Sequence, residues 1–187
     1  NLLKSEFMRT YTVKAGKHDF WPPEIRTPYN LNRLEYLEWV VIFDASCAYT
    51  LPGEDQKDFN KGGGISFDLL SNTKNAAMWA WRYNPQVDQI ELCGYWHVGG
   101  IRYIGEGLQS WQMRVNFGER VKVRIYRQGQ SWRVKFTRLD VDKEPMESVE
   151  AGEVIYTGKY GYRIGLWFGG NLPAPTDMEV WCDFKKV

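Results

Sequence analysis

Histidine is almost missing from this chain: His18 and His97 are the only two in 187 residues. A Ser–His–Asp triad would have to use one of them beside an activated serine, and no GxSxG elbow occurs. An ordinary hydrogen-bonded histidine is the simpler reading of each. Cysteine is scarce too. Cys47, Cys93 and Cys182 are odd in number and widely spaced, with no CxxC and no mixed His–Cys pattern. That excludes a zinc ribbon and a dense disulfide framework. Cys93 and Cys182 fall in strand-like alternation, where a thiol behaves as a small hydrophobe. A single disulfide stays open if the protein is exported.

Other absences narrow the chemistry further. The net charge is +1, so no global field recruits nucleic acid or an anionic membrane. No apolar run reaches the roughly 18 residues of a helical membrane span. The glycines at 62, 63 and 64 follow Lys61 without the spacing or the helix of a phosphate-binding loop. No stretch keeps a 3.6-residue apolar stripe beyond about two turns. There is no internal repeat and no low-complexity tract. The chain is read as one domain, residues 1–187, large enough for a sizeable core. No signal peptide is visible, and the chain starts at Asn1 rather than Met.

Aromatic residues are abundant, at 16% with 9 Trp and 11 Tyr, which favours strands. Period-2 alternation predicts strands at 7–14, 34–44, 65–70, 76–83, 88–98, 101–105 and around 121–139. In the last of these, Val121, Val123 and Ile125 face Trp132, Val134 and Phe136 across a turn at Gln128-Gly129-Gln130. Residues 16–32 and 50–64 read as loops, and 140–152 as an acidic, polar connection. The most informative segment is near the C-terminus. Tyr162, Ile164, Leu166 and Phe168 alternate with Arg163, Gly165 and Trp167, then Gly169-Gly170-Asn171 breaks the strand and Pro173 and Pro175 stiffen the loop. Met178, Val180, Cys182 and Phe184 resume the pattern. Short strands with turn signals between them predict an all-β fold, an antiparallel β-sandwich of jelly-roll type.

Candidate chemistry is sparse. A retaining glycosidase needs two carboxyl groups about 5–5.5 Å apart. Glu35 and Glu38 fall on opposite faces of their strand, while Glu179 and Asp183 share a face but lie about 13 Å apart along it. A jelly-roll lyase would want a Tyr or His base beside Arg and an amide; Tyr162 and Arg163 are adjacent but point to opposite faces. Asp55, Asp58 and Asn60 form a weak calcium candidate, with a polar turn as the plainer alternative. No cofactor is implied. Flat aromatic rings can bind the C–H faces of sugars while polar side chains hold the hydroxyls. Trp79, Trp81 and Tyr83 share a face that reads as core. Trp96, Trp111 and Trp167 lie near glycine-rich loops or strand ends and are the better ligand-binding candidates, together with His97, Asn171 and Arg82. The basic face of Lys122, Arg124, Arg133 and Lys135 reads as solvated or paired with the acidic stretch at 140–153.

Several segments together, VKAGKHDF, VIFDASCAY, QKDFNKG, KNAAMWAWRYN, ELCGYWHVGGIR and above all GLWFGGNLPAPTDMEV, resemble an uncharacterised group of concanavalin-A-like jelly-roll proteins of Bacteroidetes and their phages. The resemblance covers nearly the whole chain and implies two packed antiparallel sheets, as in lectins and glucanases. It implies no catalytic residues. The chain departs from that group's pattern at Thr176, where a histidine commonly follows the proline. The expected function is a non-catalytic, carbohydrate-binding lectin-like domain. The alternatives are a structural or adhesive component of a phage particle or cell-surface assembly, which would self-associate, and a jelly-roll lyase or hydrolase. No nucleic-acid partner and no membrane insertion are expected. The compartment is open, with extracellular, cell-surface or virion settings favoured.

Overall fold

The alternation at 37–43 is realised as an inward-facing row: Leu37, Trp39, Val41 and Phe43 are all buried between two sheets. The computed structural model describes residues 8–105 and 111–187. Among them are the strands β1 (Arg9–Val13), β2 (Phe20–Trp21), β3 (Pro28–Asn30), β4 (Tyr36–Phe43), β5 (Asn60–Ser66), β6 (Ala76–Asn84), β7 (Gln89–Val98), β8 (Ile101–Ile104), β9 (Met113–Val115), β10 (Arg120–Gln128), β11 (Ser131–Leu139), β12 (Pro145–Ile155), β13 (Tyr160–Ile164) and β14 (Met178–Lys186). Two short 3₁₀ turns, Ala45–Cys47 and Gly53–Lys57, separate β4 from β5.

The strands form two antiparallel sheets. The first has the order β12-β11-β10-β4-β14-β1-β2, and the second β3-β13-β5-β6-β7-β8, with β9 also on β7. Because β9 pairs with residues 90–92 and β8 with 95–98, the two lie end to end along one edge of β7. The all-β antiparallel sandwich expected from sequence is the observed fold.

The core is aromatic. Trp79 and Trp81 of β6 point inward, as expected, with Trp39 edge-on to Trp79 at 6.2 Å and Phe43 against Trp81 at 5.0 Å. Burying each such side chain stabilises the fold by about 1.5–3 kcal/mol. β6 is apolar on its other face as well. Ala76, Met78 and Ala80 join Phe59, Cys93, Tyr95 and Ile164 in a second buried cluster outside the sandwich. This is why AAMWAW reads as a continuous apolar run rather than an alternating one.

Three expectations are corrected. The triple glycine is not loop but part of β5, at a register shift between Lys61 and Gly63. Its glycines are there for clearance: a Cβ on Gly62 would lie 2.2 Å from the Trp79 ring, and one on Gly64 2.3 Å from the Ala77 carbonyl oxygen. The acidic connection is mostly strand β12, held by Arg133–Glu150, Arg133–Glu153 and Arg138–Glu147 ion pairs to β11. The basic hairpin face is thus paired with the acidic stretch.

The third correction concerns 162–168, which is not one uninterrupted strand. Ile164 pairs with Gly64 and Trp167 with Lys61, so three residues separate the pairs on both sides. Alternation is lost once. Ile164 therefore packs outside, while Leu166 and Phe168 turn into the main core. The following segment crosses between the sheets, since β13 belongs to the second and β14 to the first.

Candidate functional site on the outer face of the second sheet

Cross-strand pairing aligns side chains into rows on the outer face of the second sheet. One row is Arg82–Glu91–Arg114, and the next is Trp167–Lys61–Ala80–Cys93. Then come Ile164–Gly64–Met78–Tyr95–Ile104 and Tyr162–Ser66–Ala76–His97–Arg102. The small floor residues in the middle are sealed, and the polar side chains gather at the two sides.

His97 stands at one side. It is 6% exposed, and neither ring nitrogen has a hydrogen-bond partner among the described residues. Tyr95, two residues earlier, shares its face, with ring centroids 5.4 Å apart. Burial, reinforced by the positive charges of Lys61 and Arg102, holds the imidazole below its ordinary pKa, so it is neutral at pH 7. Burial also lowers the Lys61 ammonium. Burial raises the Tyr95 phenol, and a hydrogen bond with Arg102 partly offsets that. His97 therefore presents a neutral imidazole beside the protonated Tyr95 phenol, with Arg102 next to it across the β7–β8 pairing.

Trp167 stands at the other side, beside a cleft of about 220 Å³. The cleft is lined by Asp19, Glu24, Lys61, Asn72 and Trp167, among others. Trp167 is 39% exposed. Its position is fixed by backbone bridges to Lys61 and Asp19 and by a stack on His18, at 5.4 Å and 10°. The His18 Nδ1–H donates to the Phe168 carbonyl oxygen at 2.8 Å, which fixes the tautomer. Glu24 is spoken for: it accepts from the Tyr11 hydroxyl at 2.8 Å and pairs with Arg163. Asn72 accepts from Arg26 through its carbonyl oxygen, which leaves its NH₂ to donate. The open groups are thus one carboxylate acceptor, Asp19, and two donors, Lys61 and Asn72, next to an exposed indole.

The other sequence candidates fall elsewhere. Trp96 is 4% exposed and packs in the main core, so it offers no platform; an inward residue alternates with the outward Tyr95 and His97 on β7. Trp111 is half-buried with the Arg114 guanidinium 4.1 Å over its ring. Arg82 is locked in place. Its Nε donates to Glu91 at 2.8 Å and an Nη to the Lys57 carbonyl at 2.8 Å, and it covers the Phe59 ring. Asn171 is exposed, and its backbone N–H donates to Asp55 at 3.3 Å. Asn60 is buried: its NH₂ donates to the Tyr49 hydroxyl at 3.1 Å and its oxygen accepts from Gly169 N–H at 2.8 Å. It therefore ties loops together rather than facing Asp55 and Asp58. Among the described residues, no group of three His, Cys, Asp or Glu side chains converges as a metal site.

Sequence reasoning did not single out Tyr95, Lys61, Arg102, Asp19 or Asn72. The i, i+2 spacing of Tyr95 and His97 was the available signal.

No family model and no curated protein matches the chain. Among solved structures, a protein of unknown function from Saccharomyces cerevisiae is similar at 8% identity and a TM-score of 0.52, covering 98% of this chain and 89% of its own. An alginate lyase from Klebsiella pneumoniae overlaps at 14% identity and a TM-score of 0.45, with 82% of this chain covering 59% of the lyase. The yeast protein shows a shared fold and nothing more, and the lyase overlap is too loose to carry an argument. No family match supports the resemblance to the Bacteroidetes and phage group; what stands is the sandwich.

Proposed function

We propose that the protein binds carbohydrate through the outer face of its second sheet. The observation that carries this reading is the exposed Trp167 ring beside a cleft whose open polar groups are Asp19, Lys61 and Asn72. An apolar ring face next to mixed donors and acceptors suits a pyranose, which has C–H patches and hydroxyls. Trp167 and His97 lie three strands apart and two rows apart, four residues along a strand, roughly 14 Å across and roughly 13 Å along the sheet. An oligosaccharide, rather than a single sugar, would engage both. A glycan array tests the reading: binding to at least one glycan class that Trp167→Ala weakens several-fold supports it. A folded protein that binds none overturns it.

A second reading rests on Tyr95 and His97 sharing a face with Arg102. A uronate β-elimination needs a base for the C5 proton, an acid for the departing C4 oxygen and a cation for the carboxylate. Neutral His97, protonated Tyr95 and Arg102 match those roles in kind. Growth of an unsaturated-uronate ultraviolet band on incubation with polyuronates would support this; a flat trace across the whole series would exclude it.

A further inference from the structure

We infer that one end of the second sheet, formed by the β5–β6 loop and the β7–β8 turn, docks on an anionic phospholipid surface, with Leu69 and Leu70 entering the headgroup layer. This goes beyond the carbohydrate reading and uses a different part of the molecule.

Leu70 is 94% exposed and Leu69 57%, and Val98 and Ile101, also exposed, flank the neighbouring turn. The two elements are tied together. The Gly99 N–H donates to the Asn75 side-chain oxygen at 2.9 Å, and the Gly100 N–H to the Lys74 carbonyl at 2.8 Å. The loop turns its polar groups inward. The Ser66 hydroxyl lies 2.8 Å from the Asp68 carbonyl oxygen and 2.5 Å from that of Ser71, and the Asp68 carboxylate accepts from the Asn75 N–H at 2.9 Å. The Arg26 guanidinium donates to the Asp68 carbonyl and to the Asn72 side chain. The two leucines are thus held outward by a braced loop, and contiguous exposed apolar groups of this kind mark an interaction site.

Charge decides the partner. Lys74 lies in the loop and Arg102 beside Ile101 on β8. Strand β13 runs antiparallel to β5 with Tyr162 opposite Ser66, which brings Lys159 and Tyr160 to the same end. All three cations are exposed, and the Lys159 ammonium sits 5.2 Å from the centre of the Tyr160 ring. Over residues 66–75, 98–103 and 155–160, Asp68 is the only carboxylate, and it is bonded to Asn75. The first sheet adds Glu35 and Glu153 nearby, and Glu153 is paired with Arg133. Protruding leucines ringed by cations match the two layers of an anionic bilayer surface, an apolar boundary beneath charged headgroups. A second copy docked end to end would set these cations against each other. The net charge of +1 gives no global field, but headgroup attraction acts within a Debye length, where local cations count.

The test is co-flotation with vesicles of phosphatidylcholine alone and of phosphatidylcholine with phosphatidylglycerol in equal parts. The protein should float with the anionic vesicles and be released by added salt. The double variant Leu69→Ser, Leu70→Ser, at an unchanged melting profile, should lose about tenfold or more of that partitioning. Lys74→Ser and Lys159→Ser should each lose roughly fivefold. Leu70→Cys carrying an environment-sensitive fluorophore gives a second readout, since the native thiols are buried; its emission should move to the blue on anionic vesicles. No flotation with either vesicle overturns the proposal, as does an unshifted fluorophore or undiminished flotation of the double leucine variant. Equal partitioning to the two compositions overturns recognition by charge. A dimer in sedimentation that the leucine variant lacks, without flotation, overturns the lipid surface in favour of a second copy.

Discussion

His97 and Tyr95 project from the same face of one strand with their rings 5.4 Å apart, yet among the described residues no hydrogen-bond partner reaches either imidazole nitrogen. A strand that alternates so strictly buries Trp96 on its other side and places a polar pair opposite it.

Trp167→Ala and Trp96→Ala should behave oppositely. Trp167 is exposed and stacks on His18, so its loss should leave the fold nearly intact and weaken glycan binding by about 0.5–1.5 kcal/mol, roughly two- to twelvefold. Trp96 is core, and its truncation should cost about 3–5 kcal/mol of stability. Urea denaturation of both variants checks the contrast. Equal destabilisation would show that Trp167 is structural.

Gly62→Ala should destabilise by about 1–3 kcal/mol, because its Cβ would meet the Trp79 ring at 2.2 Å and that ring is packed from the other sheet by Trp39. A denaturation midpoint unchanged from wild type would mean that β5 can move away from β6 without penalty.

Glu91 is fully buried and accepts from Arg82, Arg114 and Asn84. Burial alone would raise its pKa, but these three hydrogen bonds outweigh it and hold the carboxyl below the usual range. The folded state therefore favours the charged form. The resulting stability is present above about pH 4.5 and is lost as pH falls through the folded value. Glu91→Gln should cost about 3–5 kcal/mol at pH 7, since two guanidinium groups lose their counter-charge, and should flatten the acid limb of the stability curve. A retained acid limb would assign it to other carboxylates.

His97 gives the opposite case, a cation disfavoured by folding. Its folded pKa lies below the ordinary value near 6.5, so below that pH the unfolded chain binds more protons than the folded one. Stability should therefore fall as pH drops from about 6.5 toward the folded value. His97→Gln should lose this slope, read from urea midpoints between pH 7 and pH 5. An identical slope in the variant would show that His97 is solvated.

All three thiols are buried and free, and burial pushes each pKa well up. Cys47, Cys93 and Cys182 should not react with a thiol reagent at neutral pH in the native state, and all three should react in denaturant. Fast labelling of the native protein would contradict the burial.

The sandwich could be read from alternation because one-sided burial writes period 2 directly into sequence, as in Leu37 to Phe43. Trp79 and Trp81 were correctly placed in the core for the same reason. β12 was missed because Glu147, Glu150 and Glu153 look like a solvated loop, and only the arginines of β11 opposite them make a strand there. Trp96 was misjudged because the glycine turn that begins three residues on, at Gly99, suggested exposure. His97, Trp167 and Arg82 were among the expected site residues, and the structure places the first two on the outer face and Arg82 in an ion pair. Lys61, Arg102 and Asp19 could not be found by spacing. They reach the outer face through pairing across several strands, and no local periodicity records such neighbours.

The most direct test of the outer-face account is a ¹H–¹⁵N spectrum of the tryptophan indole groups, titrated with the oligosaccharides that bind on the glycan array. The account predicts that the Trp167 indole resonance shifts on binding while those of the buried Trp39, Trp79, Trp81 and Trp132 stay in place. Saturating glycan that leaves Trp167 unmoved would contradict it.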